Sequence, residues 1–304
     1  MVAGGSGMIG RALVRSLVDD GVDVDVLTRN PRRRRSRILD AARAVPWDPA
    51  DPATALDALR GADAVVNVTG APVGPLPWWL PGRRAEMVRS RVGTTATLVA
   101  AIERLPTAGR PRVLVNASGT DVYTGLDASP ATETTDTAGL AGFLARLGRD
   151  WEAAASGAEA LGLRVVTIRT AFVLAKGSPL LGLFSLPTRL FLGGPIGGGR
   201  QWFSWIHIDD LVAVYRLAIA DDRVRGPVNA AAPNPVPQRE VARAMGRVLR
   251  RPSSFPVPAW SLRLVLGEQS TLILGSRRVA PARLEHIGFR FRYRELESAL
   301  RDTL

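Results

Sequence analysis

The sequence predicts an α/β fold, a doubly wound parallel sheet with a smaller C-terminal lobe. Two patterns carry that prediction. Short β-branched runs alternate with helical periodicities through the first 170 residues, which is how a parallel sheet with crossover helices reads. After Arg169 the pattern changes to Gly/Pro-rich loops with short helices, the composition of a smaller appended lobe. The chain of 304 residues, 46% hydrophobic and 22% charged, is long enough to bury a large core.

Taken in order, Val2–Ala3 reads as the end of an opening strand, short for a sheet centre, so the strand either starts upstream or is clipped. Ile9–Asp19 is a helix with Ile9, Leu13 and Leu17 on one face. Further strands are expected at Val22–Leu27, Ala64–Val68, Val113–Asn116 and Val165–Arg169, and further helices at Arg84–Arg104 and Leu140–Leu161. Pro252 to Pro258 leads into a helical region ending near Leu304. The division expected is 1–172 for the sheet domain and 173–304 for the lobe, with 205–226 packing back on the first part.

Composition narrows the function. No apolar run reaches the roughly 18 residues that span a bilayer, and the best candidate, Leu180 to Leu192, is cut by Pro187 and Arg189. No basic patch followed by an apolar stretch marks a leader, so a cytoplasmic protein without a membrane partner is expected. With no cysteine, disulfides and thiolate chemistry are excluded; His207 and His286 have no metal-ligand spacing, so no metal is expected. The net charge of +12 raises nucleic-acid binding as a reading. Its arginines are scattered, with one run at Arg32 to Arg35 and Lys176 the sole lysine, so no nucleic-acid partner is expected. A small-molecule substrate and a monomer or homodimer are expected instead.

The N-terminus reads Gly4-Gly5-Ser6-Gly7-Met8-Ile9-Gly10. Glycine first permits a tight turn, glycine second lets backbone amides approach a pyrophosphate, and glycine third packs helix on strand. Because this run follows a strand remnant and opens an amphipathic helix, it reads as a dinucleotide loop. The fold class is therefore a Rossmann-type doubly wound parallel sheet with a C-terminal substrate lobe. The next strand ends Val26-Leu27-Thr28-Arg29. An acid there would hold a ribose 2′-hydroxyl, whereas an arginine suits a 2′-phosphate, which favours NADP. The alternative is that Arg29 is merely exposed and the cofactor is NAD. Asn67-Val68-Thr69-Gly70-Ala71 closes another strand, where small residues let the backbone meet a ribose or simply turn.

With these residues in place the chain resembles the extended, atypical short-chain dehydrogenase/reductase superfamily. Within it the resemblance is to the epimerase family protein group, related to nucleoside-diphosphate-sugar epimerases and carrying a characteristic C-terminal domain. The marks are Ser90-Arg91, Arg149-Asp150-Trp151-Glu152, Leu192 to Gly197, Gln201 to Asp210, Pro227-Val228-Asn229, Ala232-Pro233, Arg278 to Pro281 and Gly288-Phe289. The resemblance implies an NADP site at Gly4, Ser6, Gly7, Met8, Ile9, Gly10, Thr28, Arg29, Val68, Thr69, Arg91 and Val173. Arg91 either reaches a phosphate or carboxylate or pairs with Glu86 on its own helix.

Redox members of that superfamily use a serine and a Tyr-x-x-x-Lys helix, the tyrosine moving the proton and the lysine lowering its pKa. Ser118 matches the serine, but Leu144 and Gly148 stand at the tyrosine and lysine positions. Tyr123 is the remaining candidate donor, with Asp121 as a base if they face the nicotinamide; the favoured reading is that both shape the loop and bound the pocket. His207 with Asp209 and Asp210 reads either as catalytic or as a helix cap. Trp78, Trp79, Trp202 and Trp205 are candidate pocket walls or core. Two functions follow: an NADP-dependent oxidoreductase or epimerase-like enzyme on a small polar or sugar-like molecule, or a non-catalytic NADP-binding sensor or scaffold.

Overall fold

The computed structural model describes residues 1–30, 42–73, 80–126 and 129–304. Its strands are β1 (Val2–Ala3), β2 (Asp25–Thr28), β3 (Arg43–Pro46), β4 (Ala64–Asn67), β5 (Val113–Gly119), β6 (Arg164–Thr170), β7 (Phe172–Leu174), β8 (Trp202–Phe203), β9 (Trp205–His207), β10 (Gly226–Ala230) and β11 (Val236–Pro237). Seven of them form one parallel sheet in the order β10-β6-β5-β4-β1-β2-β3. The chain builds outward from β1 in one direction as far as β3, then reverses to place β4 on the other side of β1. That reversal opens a crevice at the carboxyl ends of β1 and β4, where a doubly wound sheet takes its ligand.

The β-branched runs pack on both faces of the sheet, as a parallel sheet requires. One core joins Val26, Val66, Val115, Val166 and Ile168 to Leu13, Leu211 and Tyr215 from the helices Met8–Asp19 and Ile208–Ala220. The opposite core joins Val65, Leu114 and Val165 to Leu98 and Ile102 of the helix Thr94–Glu103. A third core lies in the C-terminal lobe, where Trp205 and Leu181 meet Met245 and Leu300 of the helices Gln238–Leu249 and Leu296–Thr303.

The expected elements form, with shifted ends. Strand 22–27 is shortened at its start, since Val22 is exposed and β2 begins at Asp25. β5 runs on past Asn116 to carry Ser118. The helix expected over 84–104 is in three parts, Arg83–Val88, a π-helical turn Arg89–Gly93, and Thr94–Glu103. The helix expected over 140–161 narrows to Phe143–Ser156. β3 has no counterpart in the sequence reading, because a short exposed edge strand has no apolar alternation; Arg43 pairs with Asp25 across it. Ile208–Ala220 packs on the first helix, with Arg216 Nη1 donating to Ser16 Oγ at 2.7 Å, and β10 adds a strand beside β6. The arginine run 32–35 and Trp78 and Trp79 lie outside the described residues. Among the described residues no helix is long and apolar enough to cross a membrane.

Candidate active site

The glycine loop is a cradle whose inner side has no room for side chains. Gly4 has φ +87°, and a Cβ on it would sit 2.8 Å from the Val68 carbonyl carbon. A Cβ on Gly10 would sit 2.3 Å from the Gly4 carbonyl oxygen, which is how the helix comes so close to the strand. Gly7 differs, since a Cβ there meets just the Gly4 oxygen at 3.4 Å and its other side is open. Gly7 is the N-cap of Met8–Asp19, with no side-chain cap and no acid in the first turn. The first-turn amides therefore point outward without intrahelical acceptors, the arrangement that suits a phosphate.

Val68 donates its N–H to Ala3 O at 2.9 Å and so fixes the β4 end against the loop. Ile9, Val68 and Val173 all pack against the core on the same face of the sheet. Thr69 Oγ1 donates to Asn67 Oδ1 at 2.6 Å. Asn67 in turn donates to Thr95 Oγ1 at 2.8 Å and Asn116 Oδ1 at 2.7 Å, a buried polar network beneath the crevice. Thr28 closes its strand end by accepting from Asn30 N at 3.3 Å. Arg29 is exposed there and has no carboxylate partner among the described residues.

Arg91 does not pair with Glu86; Arg83 takes that partner at 2.6 Å. Arg91 sits in the π-helical turn, 9% exposed, over the Trp151 ring at 5.2 Å. A Cβ on Gly70 would lie 3.1 Å from its Cζ, so the guanidinium rests against the backbone just past β4. Among the described residues its one hydrogen bond is a long contact from Nη1 to Met87 O at 3.5 Å, which leaves the other donors unused. Burial lowers its pKa to about 10, with Asp121 pulling the other way, so it remains a cation at neutral pH. A desolvated guanidinium with unused donors is a seat for an anion.

The reactive end is arranged differently. Ser118 Oγ donates to Glu152 Oε1 at 2.7 Å. Arg169 from β6 grips the same carboxylate with Nε at 2.8 Å and Nη2 at 2.7 Å. Its Nη1 donates to the Tyr123 hydroxyl at 2.7 Å, which lies 2.8 Å from Asn229 Oδ1 and 2.9 Å from Thr132 O. Tyr123 is sealed from solvent and burial pushes its pKa up, with the Arg169 charge opposing. The Tyr123 hydroxyl thus links β6, β10 and the 131–133 segment, and proton donation from it would require these hydrogen bonds to give way. Asp121 is likewise held, by Arg277 at 2.9 Å. Glu152 and Arg169 were the residues missed as a pair; Arg-x-x-Glu on a helix facing a strand-end arginine is a signal that spacing alone does not give.

The lysine position has been rebuilt. A Cβ on Gly148 would stand 2.4 Å from Val122 Cγ1, so the helix Phe143–Ser156 lies directly on the turn Thr120–Tyr123. Leu144 joins a small cluster with Met87 and Leu147.

A family model described as the NAD dependent epimerase/dehydratase family matches residues 1–231. The chain belongs to that family. A second model, Domain of unknown function (DUF1731), matches residues 257–303. The chain is 36% identical over 300 residues to "Epimerase family protein SDR39U1 homolog, chloroplastic" of Arabidopsis thaliana, covering 99% of this chain and 85% of that one. It is 33% identical to an epimerase family protein of Staphylococcus haemolyticus, over 100% of this chain and 98% of that one. The human epimerase family protein SDR39U1, crystallised with NADPH, superposes with TM-score 0.85 at 30% identity, covering 99% of this chain and 97% of that one. A nucleoside-diphosphate sugar epimerase from Corynebacterium glutamicum matches with TM-score 0.77 at 32% identity, over 98% of this chain and 56% of the longer one.

In this family member the His207 segment is a cap. His207 Nδ1 accepts from Asp209 N at 3.2 Å at the start of Ile208–Ala220, and Nε2 meets Asp302 at 3.2 Å. Asp210 accepts the N–H groups of Arg292 at 2.8 Å and Tyr293 at 2.9 Å, tying the C-terminal segment to that helix. Trp205 is core, while Trp202 is half-buried with Arg278 Cζ 4.3 Å over its ring.

Proposed function

We propose that the chain is an NADP(H)-dependent oxidoreductase or epimerase-like enzyme, cytoplasmic, acting on a small polar or sugar-like molecule. The observation that carries the reading is the open, uncapped helix start at Gly7 with an unpaired Arg29 at the neighbouring strand end. The amides of the first turn would hold the pyrophosphate, Arg29 the 2′-phosphate, and the backbone of Val68 and Thr69 would line a ribose. When bound, the nicotinamide supplies or accepts hydride. Ser118 and Glu152 supply the proton path. As Ser118 Oγ takes a proton from a substrate hydroxyl, its own proton passes to Glu152 Oε1, and the reverse step returns it. Arg169 fixes the carboxylate so that Oε1 faces the serine. The NADPH in the human relative supports the cofactor choice.

A non-catalytic NADP-binding sensor or scaffold is the second reading, favoured by Val122 filling the lysine position and by the tied hydroxyl of Tyr123. Thermal shift with NADP(H) and NAD(H) at equal concentrations tests the cofactor; equal shifts would sink the argument from Arg29. An NADPH-oxidation screen against carbonyl compounds then separates enzyme from sensor. Turnover that survives in Glu152→Gln would remove the proposed proton path.

A further inference from the structure

The described residues expose thirteen large hydrophobic side chains, and ten of them fall in two short stretches, 180–192 and 255–265. The stretches are neighbours. Phe255 donates its N–H to Gly193 O at 3.0 Å, Gly197 donates to Val257 O at 2.7 Å, and Arg251 Cζ lies 4.5 Å over the Phe191 ring. The helix Ala259–Leu266 buries none of its residues, and Leu264 at its centre is 79% exposed. On the helix Pro179–Arg189, Leu183 points outward, and Leu190, Phe191 and Leu192 continue that apolar surface. Clusters of this kind mark an interaction site rather than ordinary surface scatter.

Charge says what covers it. Residues 171–208 contain Lys176, Arg189 and Arg200 and no acid, and residues 241–267 contain five arginines and no acid. Two of those five, Arg243 and Arg247, are paired with Glu240 and Glu297. Lys176, Arg200, Arg250, Arg251 and Arg263 have no carboxylate partner among the described residues, whereas Arg189 donates to the Leu304 oxygen at 3.3 Å. Apolar side chains projecting from short helices, rimmed by unpaired cations, are complementary to an anionic lipid surface: the leucines and the tryptophan enter the acyl boundary while the guanidiniums meet phosphates. A second copy fits less well, because a two-fold contact would press the same basic rim against itself.

We propose that this face of the C-terminal lobe docks the protein on an anionic membrane surface, lying on the bilayer without spanning it. The absence of a long apolar run addressed spanning; a face assembled from two distant stretches leaves no such mark in the sequence. The proposal is independent of the catalytic reading.

Co-sedimentation of the full chain with vesicles tests it, comparing phosphatidylglycerol mixed into phosphatidylcholine with phosphatidylcholine alone. The expected result is binding to the anionic vesicles that weakens with salt. Leu190→Asp with Leu264→Asp, and separately Arg251→Glu with Arg263→Glu, should each lower the bound fraction by about tenfold. An unchanged NADPH thermal shift in these variants shows that they are folded. The proposal is overturned if wild-type protein binds neither vesicle, or if the leucine variants bind as well as wild type. It is also overturned if ultracentrifugation shows a dimer that Leu264→Asp dissociates while vesicles bind nothing.

Discussion

The two ends of the crevice are built on opposite principles. At the glycine loop the protein presents backbone and little else: Gly4, Gly7 and Gly10 clear the ground and the helix start stands uncapped. At the β5–β6 end polar side chains engage one another, Ser118 with Glu152, Glu152 with Arg169, Arg169 with Tyr123, Tyr123 with Asn229. The first end gains from a ligand what it lacks in internal partners. The second is complete without one. A change at the loop should therefore be felt in binding, and a change in the network should be felt first in stability.

Glu152→Ala gives the largest expected effect. It strands Arg169, whose side chain is 8% exposed, without its carboxylate. Breaking a buried pair on one side costs about 3–5 kcal/mol. Urea denaturation of the cofactor-free protein should show a loss of that order, and a loss below about 1 kcal/mol would mean the network is solvated and the contrast between the two ends is false.

Gly7→Val tests the other end. Its Cβ is not blocked by the protein, so the variant should fold, yet the branched side chain occupies the space the pyrophosphate needs. NADPH affinity should fall at least about 100-fold, near 2.7 kcal/mol, with the cofactor-free melting temperature close to wild type. Gly10→Val is the control that should do the reverse and damage the fold itself, given the 2.3 Å approach to Gly4 O. A third, smaller effect belongs to Arg29→Ala, which should narrow the preference for NADP over NAD by about 1–3 kcal/mol, the scale of a hydrogen bond to a charged group. Competition binding with the two nucleotides reads it directly.

The same contrast explains what the sequence made legible. The loop depends on glycine spacing along a few consecutive residues, so Gly4, Gly7 and Gly10 are readable in a single line of text. The strands β4, β5 and β6 were readable because buried parallel strands are continuous apolar runs. The network draws Ser118, Tyr123, Glu152, Arg169 and Asn229 from across the chain, and no local pattern announces which partners meet. Tyr123 was legible as a loop-shaping residue or a candidate donor, but the sequence does not show Arg169 and Asn229 beside it. Gly148 looked like a deletion of function, whereas the structure makes it a packing position under Val122. The edge strand β3 was missed because it is four residues long and exposed at Arg43, Ala44 and Pro46, so it has no buried face to give an alternating pattern.

The smallest expected effect concerns the tyrosines. The chain has three, and burial raises the pKa of two of them, Tyr123 and Tyr215, above the ordinary value. The unfolded chain releases these protons near pH 10, while the folded protein still holds them. Between that pH and the raised folded values the folded state binds more protons than the unfolded one, so stability falls as pH rises. Below pH 10 the contribution is fully present and flat. Denaturation midpoints should thus be nearly constant from pH 8 to 9.5 and decline above 10, by about 1.4 kcal/mol for each pH unit and each of these two buried tyrosines that remains protonated. In Tyr123→Phe the curve should start lower, because Arg169 loses an acceptor, and fall less steeply. An equally steep fall in that variant would show that the Tyr123 phenol ionises in the folded protein. The phenol would then be reachable by solvent base, and the reactive end would be more open than its hydrogen bonds indicate.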